Sequence, residues 1–128
     1  MGEEVICGDL ELVLAWADRP LSSIILWGFS LGSFPVVFNA ARYNVKAVVL
    51  QCPIGSLSCM FYDEYAVNVK FKEDHFANID HIAQVKAKVL MLHSTGDEII
   101  PIAQARLLYS KYILEDSERT QNIDFIEV

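Results

Sequence analysis

A serine between two glycines, directly after an apolar run, constrains this chain more than any other feature of its sequence. The run IILW, residues 24–27, ends at Gly28, and Ser30 and Gly32 follow in the stretch IILWGFSLGSFP. A short apolar run that stops at glycine before a helix-compatible segment is typical of a buried parallel strand that turns sharply into a helix. We predict that Ser30 lies at the apex of this turn with unfavourable backbone angles, and that both glycines let strand and helix approach closely.

Apolar runs of strand length alternate with helical patterns along the chain. Strands are predicted at Ser23–Trp27, Ala47–Gln51, Val89–His93 and Ile123–Val128, and helices at Val5–Ala17, Leu31–Tyr43 and Ile102–Leu114. Strands that alternate with helices of this length are typical of right-handed βαβ units. We therefore expect one α/β domain over residues 1–128, with about four parallel strands and flanking helices.

Composition and charge exclude several classes of protein. The 128 residues carry a net charge of −7 and only 10 lysines and arginines, so we expect no nucleic-acid partner. No apolar run reaches the roughly 18–20 residues of a transmembrane segment, and acids stand near the amino terminus where a signal peptide would be basic. Cys7, Cys52 and Cys59 are odd in number and lack metal-ligand spacing. We predict free thiols in the cytoplasm, with no metal and no cofactor.

Residues 52–84 show no clear period. Aromatic residues stand there among acids and lysines: Phe61, Tyr62, Tyr65, Phe71 and Phe76. An irregular, lid-like segment after a parallel strand often shapes a pocket at the carboxyl end of the sheet. Alternatively, these aromatic side chains only seal the core. We expect one or two short helices, and both roles for the aromatic residues stay open.

Two motifs resemble the α/β-hydrolase superfamily. The stretch GFSLG, residues 28–32, matches the G-x-S-x-G nucleophile elbow, and LHSTGDEIIP, residues 92–101, resembles the loop that carries the catalytic acid. The phrases IILWGFSLGSFPVV, AVVLQCPIGS and KVLMLHSTGDEIIPI are nearest to a subgroup that includes protein depalmitoylases. The resemblance covers nearly the whole chain but only the carboxyl-terminal part of a complete domain. It implies a serine hydrolase of esters or thioesters.

The resemblance implies roles for three residues. Ser30 would be the nucleophile, because an activated hydroxyl attacks an ester carbonyl and holds the acyl group. The Leu31 amide would donate to the oxyanion at the start of the following helix. Asp97, in the acid loop 94–100, would orient the base. Each residue taken alone also has a purely structural explanation: Ser30 as a helix cap and Asp97 as a turn residue. Turn chemistry does not explain why both occur at this spacing.

A catalytic base is not apparent among the three histidines. We predict that His93 is a core residue at a strand end, that His81 faces solvent, and that His75 lies in the irregular segment. The superfamily places its histidine just after the final strand, so we expect the base beyond residue 128. Further strands would precede the elbow. Since a base must reach the Ser30 hydroxyl, the 128-residue chain alone is expected to be inactive.

Two hypotheses from different classes follow. The first is a fragment of a serine hydrolase that acts on a small-molecule or acylated-protein ester, with membrane association possible in the full-length parent. The alternative is a catalytically inactive short form or pseudo-enzyme that serves as a binding or assembly module. In either case the elbow strand becomes a sheet edge, which invites pairing with another chain. We therefore expect self-association through this exposed strand edge.

Overall fold

The computed structural model describes residues 2–61, 74–114 and 116–128. Its strands are β1 (Ile25–Phe29), β2 (Ala47–Gln51), β3 (Lys88–His93) and β4 (Ile123–Glu127), and its α-helices are α1 (Glu3–Trp16), α2 (Ser33–Ala40), α3 (Leu57–Phe61) and α4 (Ala103–Leu114). Every predicted strand and long helix is present. The helix after the elbow is shorter than predicted, because a separate 3-10 turn, Ser30–Gly32, precedes α2.

The four strands form one parallel sheet in the order β1-β2-β3-β4. Consecutive strands are neighbours, and the segments between β1 and β2 and between β3 and β4 contain helices α2 and α4. This arrangement is a series of βαβ units and confirms the predicted α/β class. Because all strands are parallel, their carboxyl ends meet at one edge of the sheet, where residues that follow the strands lie close together.

One face of the sheet builds the core. Alternate strand residues on this face form a single apolar cluster with residues of α2 and α4: Leu26, Val48, Leu50, Val89, Met91, Ile123, Val36, Val37, Ala40, Ala105, Leu108 and Tyr112. Helix α1 packs on α2 and adds Leu10 and Leu14 to this cluster. The strand period of two therefore places one full set of apolar side chains against the helices.

The opposite face of the sheet is uncovered near β1. Ile25, Trp27 and Phe29 point away from the core and are exposed, with Trp27 at 65%. The strand register places the exposed Ile126 of β4 on this same face. Phe29 lies in register with Gln51, Gln51 with Leu92, and Leu92 with Ile126. Ile25, Trp27, Phe29 and Ile126 are called the open-face patch below. Parallel sheets are normally covered on both faces, so this patch is a surface that another layer would cover.

Gly28 is where β1 and α2 approach most closely. A Cβ atom at Gly28 would lie 2.6 Å from Ser33 Cα and 2.7 Å from Gly32 O, both of them backbone atoms. The prediction that Gly28 permits the close approach is therefore confirmed. The same prediction for Gly32 is wrong, because a Cβ atom there would meet nothing within 4 Å. Gly32 has a helical φ of −63°, so the turn itself does not require glycine at this position.

The irregular segment includes short helical pieces where it is described. Helix α3 begins it, and two 3-10 turns, Asn78–Asp80 and Ile82–Gln84, end it. Phe76 packs edge-to-face on Phe34, with the ring centroids 5.4 Å apart. Tyr62, Tyr65, Phe71 and the side chain of Phe61 lie outside the described residues, so their predicted roles stay predictions. In the described ranges, no helix has both the length and the apolar content needed to cross a membrane.

Candidate active site

Ser30 lies at the turn between β1 and α2 with a φ of +53°. This is the left-handed region, which costs a residue other than glycine about 1–3 kcal/mol and persists only where the surroundings impose it. The predicted strain at the apex is confirmed. The Ser30 side chain is half-buried and lies just after the carboxyl end of β1. The turn therefore presents the Ser30 hydroxyl at the edge where the strands end.

A buried polar pair holds the Ser30 backbone in place. The Ser33 hydroxyl donates to the Ser30 carbonyl oxygen at 2.6 Å, and Asn78 Nδ2 donates to the Ser33 hydroxyl at 2.8 Å. Asn78 Nδ2 also donates to the Ile54 carbonyl at 2.9 Å. Ser33 and Asn78 are fully buried. Because a buried polar group without a partner is costly, this network ties the elbow to the segment after β2.

Leu31 follows Ser30 at the start of the 3-10 turn that leads into α2. Its side chain is exposed. The first backbone N–H groups of a helix have no intrahelical acceptor, and the helix dipole is positive at this end. The Leu31 amide thus lies where negative charge on an adjacent oxygen would be stabilised.

Asp97 lies in the loop after β3. Its Oδ1 accepts hydrogen bonds from the backbone N–H groups of Ile99 and Ile100, both at 2.9 Å. These two hydrogen bonds are the main reason why the pKa of Asp97 is lowered below its usual value. The carboxylate is therefore charged at neutral pH, and its loop conformation is fixed.

His93 ends β3 and is 1% exposed, as predicted for a core histidine. Its Nε2 lies 2.8 Å from the Ile100 carbonyl oxygen, and because a carbonyl only accepts, Nε2 carries the proton. The same nitrogen lies 3.7 Å from Asp97 Oδ2. Within the described ranges, Nδ1 of His93 has no hydrogen-bond partner. His93 thus ties the far end of the acid loop to the end of β3.

The other two histidines have partners on helices α1 and α2. His81 was predicted to face solvent, but it is half-buried against the rings of Phe34 and Phe38, with centroids 6.0 and 5.3 Å away. Burial, followed by the nearby charge of Arg42, lowers the pKa of His81. The prediction was wrong because the 3-10 turn Asn78–Asp80 directs this ring to α2.

His75 is exposed and lies 3.7 Å from a carboxylate oxygen of Glu3 at the start of α1. Its partner is therefore on the first helix and not at the elbow. In the part of the chain that the structure describes, none of the three imidazoles is hydrogen-bonded to the Ser30 hydroxyl.

Ser30 and Asp97 share the carboxyl edge of the sheet but are not adjacent. Ser30 follows β1 and Asp97 follows β3, so β2 lies between them. Neighbouring strands are about 4.8 Å apart, which puts the two strand ends about 10 Å apart.

Cys52 occupies the strand end between them, and sequence reasoning missed it. It directly follows β2, has a φ of +46° and keeps a free, half-buried thiol. Its sulfur, a His93 ring nitrogen and an Asp97 carboxylate oxygen all lie within 4.8 Å of one another. Cys52 follows a parallel strand in the same way as Ser30 and the Asp97 loop, but its place beside His93 and Asp97 depends on the pairing of β2 with β3.

The end of β4 is hydrogen-bonded to the acid loop. Val128 N donates to the His93 carbonyl at 2.9 Å, and the Val128 carbonyl accepts from Thr95 N at 2.8 Å and from the Thr95 hydroxyl at 3.1 Å. Val128 therefore lies beside the loop that carries Asp97.

Sequence comparison relates this chain to proteins with α/β-hydrolase domains. The chain is 33% identical over 102 residues to the human alpha/beta hydrolase domain-containing protein 17B. The aligned stretch covers 80% of this chain and 34% of the relative. It is 35% identical over 89 residues to the mouse alpha/beta hydrolase domain-containing protein 17C, covering 70% of this chain and 27% of the relative. Over most of its own length the chain is therefore similar in sequence to α/β-hydrolase domain-containing proteins. No protein-family model matches it.

Solved structures of the superfamily share the fold at low sequence identity. The esterase domain of a Rhodothermus marinus protein superposes with a TM-score of 0.63 at 19% identity, over 91% of this chain and 52% of that one. A putative dienelactone hydrolase from Klebsiella pneumoniae gives 0.66 at 19% identity, over 94% of this chain and 46% of that one. Such low identities establish the fold alone. The chain spans about a third of the length of the curated relatives above.

Proposed function

We propose that this chain is the part of a serine hydrolase that carries the nucleophile and the orienting acid. The observation that carries the proposal is Ser30 at a φ of +53°, on a turn whose close packing at Gly28 excludes a side chain. Strain of this kind at a strand-to-helix turn exposes a hydroxyl to a carbonyl substrate. A serine that served only to cap α2 would need no left-handed backbone, and the residue at the N-cap position of α2 is Gly32.

The proposed reaction is acyl transfer in two steps. The Ser30 hydroxyl attacks the acyl carbonyl while a base removes its proton, and the alcohol or thiol leaves with that proton. Water then attacks the acyl-serine, and the same base removes a proton from the water and returns one to Ser30. In both steps the Leu31 amide donates to the oxyanion.

Asp97 would orient the base through Oδ2, since Oδ1 is already engaged by two backbone amides. The proposed base is a histidine that follows Val128 in a longer chain. The hydrogen bonds between Val128 and Thr95 support this, because a chain that leaves β4 there starts beside the acid loop.

The proposed substrates are esters or thioesters, including acyl groups on proteins. This assignment rests on the likeness of the chain to its curated relatives and on its sequence phrases, and not on a pocket in the structure. The experiment is an assay of a longer protein that holds this chain together with the remaining length of a hydrolase domain. It should release acyl groups from a p-nitrophenyl ester and an acyl thioester, and the 128-residue chain should not. A folded longer protein that holds Ser30, Asp97 and a new histidine, yet hydrolyses neither, would refute the proposal.

A binding or assembly module is the second candidate, and the open-face patch favours it. We propose that a second copy of the chain covers this patch and the adjacent β1 edge. Ile25, Trp27 and Phe29 stand on one face of an edge strand, where their burial would be favourable and where no helix of the described residues covers them.

Replacement of Trp27 by lysine is expected to weaken this association. The chain itself should sediment above its 14.4 kDa monomer mass at high micromolar concentration, and the Trp27→Lys variant should sediment at the monomer mass. Leu114→Lys is the matched control, because Leu114 is 77% exposed on α4, away from the patch. A monomeric parent chain, or a Trp27→Lys variant that still associates, would show that the patch is not the interface.

A further inference from the structure

Three side chains of different chemistry converge at the ends of β2 and β3. The thiol of Cys52, a ring nitrogen of His93 and a carboxylate oxygen of Asp97 lie within 4.8 Å of one another. They are the three classes of ligand that protein zinc sites use. The carboxylate is half-buried, the thiol is half-buried and the imidazole is fully buried, so the cluster lies at the base of the carboxyl edge and not on an open acidic surface.

The backbone brings these groups together across two strands. Gln51 of β2 lies in register with Leu92 of β3, and Cys52 N continues the ladder by donating to the Leu92 carbonyl at 2.8 Å. Cys52 and His93 are therefore cross-strand neighbours. The left-handed φ of Cys52 departs from the strand conformation and is a costly state for cysteine, which the surrounding structure must impose.

Each group retains a coordination position. Asp97 Oδ1 accepts the two amides of its loop, which leaves Oδ2 toward His93. Nε2 of His93 donates to the Ile100 carbonyl, so the nitrogen that remains for an ion is Nδ1, which is buried and makes no hydrogen bond within the described ranges. The Cys52 thiol forms no disulfide and donates a hydrogen bond to the Asp97 carboxylate, a bond that an ion between the two groups would replace.

We propose that Cys52, His93 and Asp97 bind one divalent transition-metal ion of the Zn²⁺ class. A thiolate and an imidazole select against Mg²⁺ and Ca²⁺, which prefer oxygen ligands only. Ligand distances of about 2.0–2.3 Å to one tetrahedral ion place the ligand atoms roughly 3.5 Å apart, so side-chain adjustments of about 1 Å close the site. Binding releases the thiol proton to solvent and leaves a fourth position for water.

The site shares Asp97 with the proposed hydrolase. If Asp97 orients the base there, an ion on its Oδ2 would compete with that base and inhibit acyl transfer. This consequence rests on the proposed function, whereas metal binding does not. Metal binding is therefore measured alone. A failure to bind metal would leave the hydrolase proposal intact, and a failure of the hydrolase proposal would leave the metal site intact.

Alkylation of the 128-residue chain by iodoacetamide, read by peptide mass spectrometry, tests the site without a substitution. Saturating Zn²⁺ is expected to slow the alkylation of Cys52 by about tenfold or more, because a metal-bound thiolate is a poor nucleophile. Cys59 in the same sample is the internal control, since it lies outside the cluster and its rate should not change. Equal rates for Cys52 with and without Zn²⁺, or equal protection of both thiols, would overturn the proposal.

Titration with Co²⁺ provides a second readout. The parent chain should show a thiolate-to-cobalt charge-transfer band that saturates at one ion per chain and is displaced by Zn²⁺. The band should disappear in Cys52→Ser and persist in Cys59→Ser. A band that survives in a folded Cys52→Ser variant would assign the metal to another thiol and refute this site.

Discussion

Ser30→Ala is expected to abolish ester hydrolysis by a longer protein that contains this chain, lowering kcat/KM by about 10⁴-fold or more. Alanine keeps the backbone of the elbow but removes the only atom of residue 30 that can form the acyl bond. The oxyanion donors and the binding surface remain, so a small residual rate is expected. Rates of p-nitrophenyl ester hydrolysis for the two proteins measure the effect.

Ser23→Ala is the matched control for this substitution. The Ser23 hydroxyl is exposed before the amino end of β1 and donates to the Pro20 carbonyl at 2.7 Å, far from the carboxyl edge. Its removal should leave kcat/KM within about twofold, since surface substitutions of this kind have small effects. Equal activity of the Ser30→Ala and Ser23→Ala proteins would exclude Ser30 as the nucleophile.

Gly28→Ala is expected to destabilise the 128-residue chain by about 2–3 kcal/mol, the cost of forcing an extra methyl group into close packing. The new Cβ atom would lie 2.6 Å from Ser33 Cα and 2.7 Å from Gly32 O, and backbone atoms cannot move aside as a flexible side chain can. The midpoint of thermal unfolding should fall by about 10 °C. Circular dichroism during heating provides the measurement.

Gly32→Ala separates this clash from a general effect of glycine replacement. Gly32 is two residues from Ser30, has a helical φ and leaves open space for a Cβ atom. Its replacement should leave the unfolding midpoint unchanged or slightly higher, because alanine favours helical backbone. If both alanine variants unfold at the same temperature, close packing at Gly28 does not fix the elbow.

The sheet could be predicted from the sequence because its signals are local. Apolar runs such as Val48–Leu50 and Val89–Leu92 have strand length and end at breakers or polar residues. Right-handed crossovers then leave few ways to order parallel strands. The strain at Ser30 was equally predictable, since it follows from a strand that must turn into a helix within a few residues.

Features that depend on contacts between distant segments escaped prediction. The His81 ring contacts Phe34 and Phe38 because a 3-10 turn directs it there, and the hydrophobic periodicity of the sequence does not predict such a turn. Cys52 meets His93 and Asp97 only when β2 and β3 pair. Fixed metal-ligand spacing along the chain is a sign of sites within one loop or helix, and it does not reveal a site assembled across two strands.

The most direct test of the central claim is the position of a covalent label. A fluorophosphonate reacts with an activated serine, and the longer protein should carry one label, found by peptide mass spectrometry on Ser30 in the stretch IILWGFSLGSFP. Asp97→Asn should slow the labelling strongly, because the base would lose the carboxylate that orients it. A label on another serine, or none on a folded protein that holds Ser30, Asp97 and a histidine after β4, would contradict a nucleophilic Ser30.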